Sequence, residues 1–363
     1  MDTRVLQTQE WLNSTYSGSA SYTSIPEDGL AGTGTFRALI IALQIELGVT
    51  ADGDFGNGTL NAMPSTISQV PDVSTASPTN MHYIIQGTLW CKGYSPGGFT
   101  GIFGPGTASA ISQFQGDAGI TQDGIIRPYI MRGLMNTDGY AYTGNQGTDE
   151  YYKHQVQMGL NAYATQIGLT APNGLWDRKS HTNLIKACQI EWGATPVDGV
   201  LGSGTLSKAP TLSRNTNGYT NSKRLLQWAL AINGFYPGGF TGTFGDGTYA
   251  AVYNFQDFCC LGADGIAGKL TWASLLKSNG DSSRAGTACD TATRLTSTKA
   301  LALKNAGYTT VGRYLTNAGS GAGFLDKKMT AEEIDVLSDA GLKVFPIYQT
   351  LGTSVTYFTE AQR

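Results

Sequence analysis

The sequence predicts a multidomain protein: four all-α repeats of three helices each, followed by an incomplete α/β segment. Three observations carry that expectation. A helix glutamine recurs at Gln44, Gln115, Gln189 and Gln256, each followed by an Asp-Gly turn, at Asp52-Gly53, Asp123-Gly124, Asp198-Gly199 and Asp264-Gly265. The period is roughly seventy residues, the mark of a copied structural unit. After Lys277 the pattern changes to short apolar runs alternating with helical stretches, which reads as strand, helix, strand.

The repeats are expected at residues 1–68, 80–140, 150–212 and 220–278. An earlier glutamine on each opening helix is read at Gln7, Gln86, Gln157 and Gln227. Repeats two and four are sisters, since Ser95-Pro96-Gly97-Gly98-Phe99-Thr100-Gly101 returns as Tyr236-Pro237-Gly238-Gly239-Phe240-Thr241-Gly242. Repeats one and three share a longer stretch between their first two helices, and Ile45-Glu46-Leu47-Gly48 matches Ile190-Glu191-Trp192-Gly193. An ancestral pair was therefore duplicated as a pair.

Within repeat two, Ala110, Ile111 and Phe114 fall on one helical face. Pro105 suits the first turn, where an N–H is not needed. Gly119 suits the left-handed C-terminal cap. The same face reads Phe36, Leu39, Ile40, Leu43 and Leu47 in repeat one, Leu184, Ile185 and Cys188 in repeat three, and Ala251, Val252 and Phe255 in repeat four. Each repeat is expected to close its own small three-helix core.

Composition narrows the function. Of 363 residues 40% are hydrophobic, only 14% are charged, and the net charge is -3. That balance excludes a nucleic-acid partner, which needs a basic surface. Forty-eight glycines and eighteen tyrosines suit neutral ligands met by aromatic faces and backbone groups. No apolar run reaches membrane-helix length, and Met1-Asp2-Thr3-Arg4 lacks the apolar core of a secretory signal. Five cysteines without Cys-x-x-Cys spacing argue for neither a disulfide framework nor a zinc knuckle. Cys188 reads as a small buried hydrophobe.

The ordered set Leu226-Gln227, Gly234-Phe235-Tyr236, Gly242-Thr243-Phe244-Gly245-Asp246-Gly247-Thr248, Phe255-Gln256 and Asp264-Gly265 through Thr271 resembles the bacterial peptidoglycan-binding domain of the three-helix type. The resemblance runs over residues 1 to 277 and is strongest in repeat four; repeats one and three depart from it by a longer first loop. It implies a peptidoglycan or cell-wall glycan partner and no cofactor or metal. It places the ligand beside the Gly-rich turns, with Tyr94, Phe99, Phe103, Tyr236, Phe240 and Phe244 as contacts. Gln115 and Gln256 are assigned either to the ligand or to the neighbouring turn. Turns, caps and packing alone also account for most of the repeated glycines and threonines. Several weak sites on one chain gain affinity on a polymer, about 10²- to 10⁴-fold where geometry lets them engage together.

The tail follows a Ser278–Ser283 linker. Strands are expected at Ala288–Asp290, Thr310–Leu315 and Lys343–Tyr348, with helices at Thr298–Asn305 and Thr330–Ala340; their alternation makes the strands parallel. Thr330-Ala331-Glu332-Glu333 has the capping-box pattern. Residues 286–363 resemble the opening of the glycoside-hydrolase-like TIM barrel found behind wall-binding repeats in Gram-positive bacteria and their phages. In such barrels function sits at the C-terminal strand ends, here Asp290, Arg313, Tyr314, Tyr348 and Gln349. The resemblance makes Asp290 the first-strand acid, and Arg313 either a site residue or its ion-pair partner. A whole barrel takes about 200 residues or more. Glycoside hydrolysis usually needs two carboxyl groups. A truncated and inactive barrel is therefore expected, on an extracellular or wall-associated protein released without a signal, as a phage lysin is. The competing readings are a non-catalytic adhesive array and a zinc peptidase. For the latter the chain offers only His82, His154 and His181, in no metal-binding spacing.

Overall fold

The computed structural model describes residues 1–259, 261–277, 287–315 and 327–347. The chain divides into a helical part, Met1–Gly280, and a smaller part, Asp281–Arg363. In the helical part the helices come in sets of three: α1 (Thr3–Tyr16), α2 (Thr33–Glu46) and α3 (Asn57–Ala62); α4 (Asn80–Cys91), α5 (Pro105–Asp117) and α6 (Pro128–Leu134). The third set is α7 (Asp149–Leu160), α9 (Arg178–Glu191) and α10 (Ser203–Lys208), with the one-turn α8 (Ala164–Ile167) between the first two; the fourth is α11 (Thr220–Ile232), α12 (Asp246–Phe258) and α13 (Lys269–Lys277). Pro105 opens α5 as expected, and Gly119 follows its C-cap at φ 70°.

One device recurs at both turns of each three-helix set. On α2, the Gln44 side-chain oxygen accepts from the Gly53 N–H at 2.9 Å, while its amide nitrogen donates to Asp52 Oδ1, the Asp54 carbonyl and Thr59 Oγ1 at 2.8, 2.9 and 3.0 Å. Gln9, Gln86, Gln115, Gln157, Gln189, Gln227 and Gln256 accept in the same way from Gly29, Gly101, Gly124, Gly174, Gly199, Gly242 and Gly265, all at 2.8 or 2.9 Å. Every clamped glycine lies at φ between 66° and 79°, where a Cβ is strongly disfavoured. All eight glutamines are at most 3% exposed. The clamp in α1 is Gln9; Gln7, the residue expected from the sequence, faces solvent. The α1 face that turns inward is Val5, Thr8, Gln9, Leu12 and Tyr16, and Gln7 falls outside it.

The expected separate three-helix cores are replaced by two larger ones. One core joins the first two sets and adds Ala164, Leu169 and Ala171; the other joins the last two. Each pair is stitched alike, by a bridge between Ile67 and Ile126 and another between Leu212 and Ala267. Glu46 accepts from Tyr16 and Asn80 at 2.9 and 2.8 Å; Glu191 accepts from Tyr163 and Asn221 at 2.8 and 2.9 Å. The α1–α4 and α7–α11 seams are filled differently. Counting from the clamps, Trp11 on α1 corresponds to Gly159 on α7, and Gly87 on α4 to Trp228 on α11. The Trp228 indole fills the space over Gly159, and Thr8 the space over Gly87. Asn161 also ties the pairs together, donating to the Ala118 carbonyl at 2.6 Å.

The smaller part forms β1 (Ala288–Asp290), α14 (Ser297–Asn305), β2 (Thr310–Tyr314), α15 (Ala331–Asp339) and β3 (Lys343–Ile347). The strands pair in parallel, in the order β1-β2-β3, with Asp290 beside Gly312 and Tyr314 beside Ile347. Leu295, Ala300, Val311, Leu337 and Leu342 form its core. Inside lies a two-pronged ion pair: Arg313 Nε to Glu333 Oε1 at 2.7 Å and Nη2 to Oε2 at 3.1 Å, with both side chains at most 1% exposed. Arg313 Nη1 also donates to the Thr291 carbonyl, and the Leu295 N–H donates to Glu333 Oε1 at 2.7 Å. Two expectations are corrected here. Arg313 pairs with Glu333 and not with Asp290, because neighbouring strand residues face opposite ways. The Thr330 hydroxyl accepts from the Glu333 N–H, but the Glu333 carboxylate turns inward instead of closing a capping box.

Three outcomes follow for stability. Gln115→Leu keeps the volume but strands the Gly124 N–H and the Ile125 carbonyl, so urea denaturation should show a loss of about 2–4 kcal/mol; a loss below about 1 kcal/mol would reject the clamp as a main support. Glu333→Gln should cost the α/β part about 3–5 kcal/mol in the same experiment, whereas Arg313→Met combined with Glu333→Leu should come close to wild type. The third concerns Lys92, whose Nζ donates to Asn136 Oδ1 and the Asp138 carbonyl at 2.9 and 2.6 Å, near the Phe36 and Tyr140 rings. Burial pulls its pKa from 10.5 down to about 8. Between those values the unfolded chain holds the proton and the folded one does not, so this group adds stability as pH rises. Measured against Lys92→Met, wild type should gain up to about 3 kcal/mol from pH 7 to 10.5; a flat or falling difference would refute the assignment.

Candidate functional site

Repeat four carries an open cleft beside its Gly-rich loop. Its volume is about 460 Å³, and it is lined by Gln227, Pro237, Gly238, Gly239, Thr241, Thr243, Gly245, Gly247 and Thr248. The clamp on α11 forms one wall and the start of α12 the other. Helix α12 begins at Gly245 with no side-chain cap, so its first-turn N–H groups are left for solvent or a ligand. Beside that end Arg214 pairs with Asp246 at 2.6 Å and lies 3.9 Å from the Tyr249 ring centroid. Thr241 and Thr243 add hydroxyl groups to the rim.

An aromatic ledge adjoins the cleft. Tyr236 is 43% exposed; it stacks on Tyr152 at 3.9 Å and meets Phe240 edge-on at 5.9 Å. The run continues through Tyr151, 5.9 Å from Tyr152, to His154 at 6.4 Å, and His154 stacks on Tyr142 at 4.4 Å. Hydroxyl groups and flat apolar faces in one surface suit a ligand with the same two characters, such as a sugar ring.

The sister repeat is closed where repeat four is open. Val73 lies 3.5 Å from where a Gly104 side chain would begin, while nothing approaches the corresponding point of Gly245 within 4 Å. The Val70 N–H donates to the Phe103 carbonyl at 2.9 Å and holds that segment down. Phe99 packs into the seam with Trp90 at 5.1 Å and Tyr83 at 5.0 Å. Tyr94 is buried and donates to Asp117 Oδ2 at 2.7 Å. Phe103 and Phe244 lie inside the cores. Gln115 and Gln256 spend their amides on the Gly124 and Gly265 turns. Of the residues proposed from sequence in the repeats, Tyr236 and Phe240 meet each other and flank Pro237–Gly239 of the cleft lining. Tyr142, Tyr151, Tyr152 and His154 were missed: Tyr152 lies five residues before its clamp, where repeat one has Arg4, so a search for repeated residues passes over it.

In the smaller part the structure brings Asp290 and Tyr314 together at the strand ends, with the Tyr314 hydroxyl donating to Asp290 Oδ2 at 3.2 Å. Desolvation and that carboxylate raise the phenol pKa. Lys327 Nζ lies 4.3 Å from the Tyr314 ring centroid. Arg313 points to the other face, into the core. Tyr348 and Gln349 lie outside the described residues. Among the described residues no group of three His, Cys, Asp or Glu side chains is placed to hold a metal, and no helix is long and apolar enough to cross a membrane.

Comparison with known proteins adds the following. Residues 83–128 and 221–275 match the model of a putative peptidoglycan binding domain, residues 2–75 that of a FadG/YbfG, PGDB-like domain, and residues 301–363 that of an Rv2525c-like, glycoside hydrolase-like domain. The chain is 44% identical over 370 residues to the uncharacterized protein YbfG of Bacillus subtilis, with all of the chain and 50% of YbfG covered. It is 41% identical over 368 residues to the uncharacterized protein FadG of the same organism, with all of the chain and 63% of FadG covered. The chain thus spans less than two thirds of the length of either. A spore cortex-lytic enzyme of Bacillus cereus is 50% identical over 52 residues, 14% of this chain and 20% of that enzyme. No solved structure matches. Segments of peptidoglycan-binding type and a glycoside hydrolase-like segment stand together in this chain, a combination that supports cell-wall binding.

Proposed function

We propose that the helical part is an array of four wall-binding repeats that holds peptidoglycan, and that it carries the opening strands of a glycoside-hydrolase-like barrel to the wall. The cleft of repeat four and its neighbours Tyr236 and Phe240, which fall within the matched segment 221–275, carry this reading, and Tyr152 completes the ledge from outside that segment. Tyr236, Phe240 and Tyr152 are the assigned sugar contacts, with the α12 N-terminus available to a carboxylate. Repeat two, roofed by Val73, is the weaker site, and Tyr94, Phe99 and Phe103 shape it from within. Asp290, held by Tyr314, is the assigned acid of the barrel. A second reading, a binding array without chemistry, is favoured by one observation. The acidic partner of Arg313 is locked in the core, so Asp290 is the one carboxyl at a strand end among the described residues.

Co-sedimentation of the intact chain with purified insoluble sacculi tests the binding. Wild type should pellet, and Tyr236→Ala with Phe240→Ala should weaken retention about tenfold, as the loss of two exposed ring contacts predicts. Unchanged retention of the double variant would overturn the ledge. Failure of wild type to pellet at both low and high salt would overturn wall binding.

A further inference from the structure

The helical part has a second groove, larger than the cleft of repeat four. It lies where repeats one, two and three meet, with a volume of about 790 Å³. Its cations stand on two opposed elements: Arg132 on α6, and Arg178, Lys179 and Lys186 on α9. Arg178, Thr182 and Lys186 follow one another at four-residue spacing, so α9 presents them as a row along one face. Two carboxylates, Asp54 and Asp177, line the same groove. Asp177 is engaged in capping α9, accepting from the Ser180 N–H at 2.7 Å. Lys179 is paired with Asp138 at 2.9 Å. Arg132, Arg178 and Lys186 form no ion pair among the described residues. On a chain of net charge -3, a groove lined by four cations and two carboxylates is a local reversal of sign, and such a reversal concentrates anions.

The remaining lining decides which anion. Phe55, Tyr129 and Leu169 give the groove apolar surface, and Asn136 gives it an amide. A neutral sugar would leave the cations unused, and a bare phosphodiester chain would leave the apolar surface unused. A short peptide that alternates carboxylates with small apolar side chains uses both. We infer that this groove is a second ligand site, formed only where three repeats meet, and that it takes an acidic peptide. The inference extends the wall reading to a different ligand class but does not need the aromatic ledge.

The test uses the intact chain and a fluorescein-labelled Ala-Glu-Ala-Glu-Ala peptide, followed by anisotropy. The peptide should bind; its Gln-for-Glu counterpart should bind at least about tenfold more weakly, and Arg132→Gln with Lys186→Gln should weaken the acidic peptide by about tenfold or more. Both substituted side chains reach solvent, and thermal melts of the variant check that it folds. Lys186→Glu is the second variant and should weaken binding further. Absence of binding to wild type, equal binding of the Gln peptide, or indifference to both variants would overturn the inference. Tighter binding of a glycerol-phosphate oligomer than of the peptide would overturn the peptide in favour of a phosphate ligand. Sacculus pelleting is read separately. Pelleting without peptide binding sinks the groove alone, and peptide binding without pelleting sinks the wall reading alone.

Discussion

The fold depends on a neutral amide buried beside a left-handed glycine. A helix that must hand over to a second helix through a tight turn leaves polar backbone groups inside, and each needs a partner. Glutamine answers both needs at once, since one end of its amide accepts and the other donates, without bringing a charge into the core. Side-chain oxygens near the glycine take the two amide protons, as Asp52 and Thr59 do for Gln44. Because the amide is uncharged, eight of these clamps fit into one helical body without the desolvation cost that eight carboxylates would carry.

This arrangement separates what is copied from what is used. The repeated glutamines, glycines and threonines are consumed in holding turns, so they have little left to offer a ligand. The exposed groups with chemistry to spare are those that differ between copies. Tyr236 stands where repeat two has Ser95, Tyr152 where repeat one has Arg4, and Val73 roofs one cleft while its counterpart stays open. The shared clamps supply a scaffold, and a few surface positions that differ between the helix sets supply the differences among its faces.

Much of this was legible beforehand. The helical faces, the Pro105 start, the Gly119 stop and the parallel strand–helix alternation all follow from periodicity and turn chemistry, and the structure has them. The losses have physical causes. Leu6-Gln7 carries the Leu-Gln signature of Leu226-Gln227 whereas the clamp Gln9 follows Thr8, and only the inward face with Val5 and Leu12 identifies Gln9. Arg313 and Tyr314 were grouped as strand-end residues, although the pleat sends one into the core and the other to the rim. Glu333 fits a capping pattern in sequence, but a buried guanidinium makes the stronger demand on it. The basic groove was illegible for a different reason: its walls come from three repeats, and no window along the chain contains them all.

The unlike filling of the two seams bears on how such a chain reaches one structure. Nearly identical neighbours invite wrong pairing, in which a helix from one copy docks on the partner of another. Were α7 to dock on α4, Gly159 would lose the Trp228 indole and Gly87 the Thr8 side chain that fill the space over each. That error carries a packing penalty that the correct seams avoid, so Trp228 over Gly159 and Thr8 over Gly87 help to tell the copies apart.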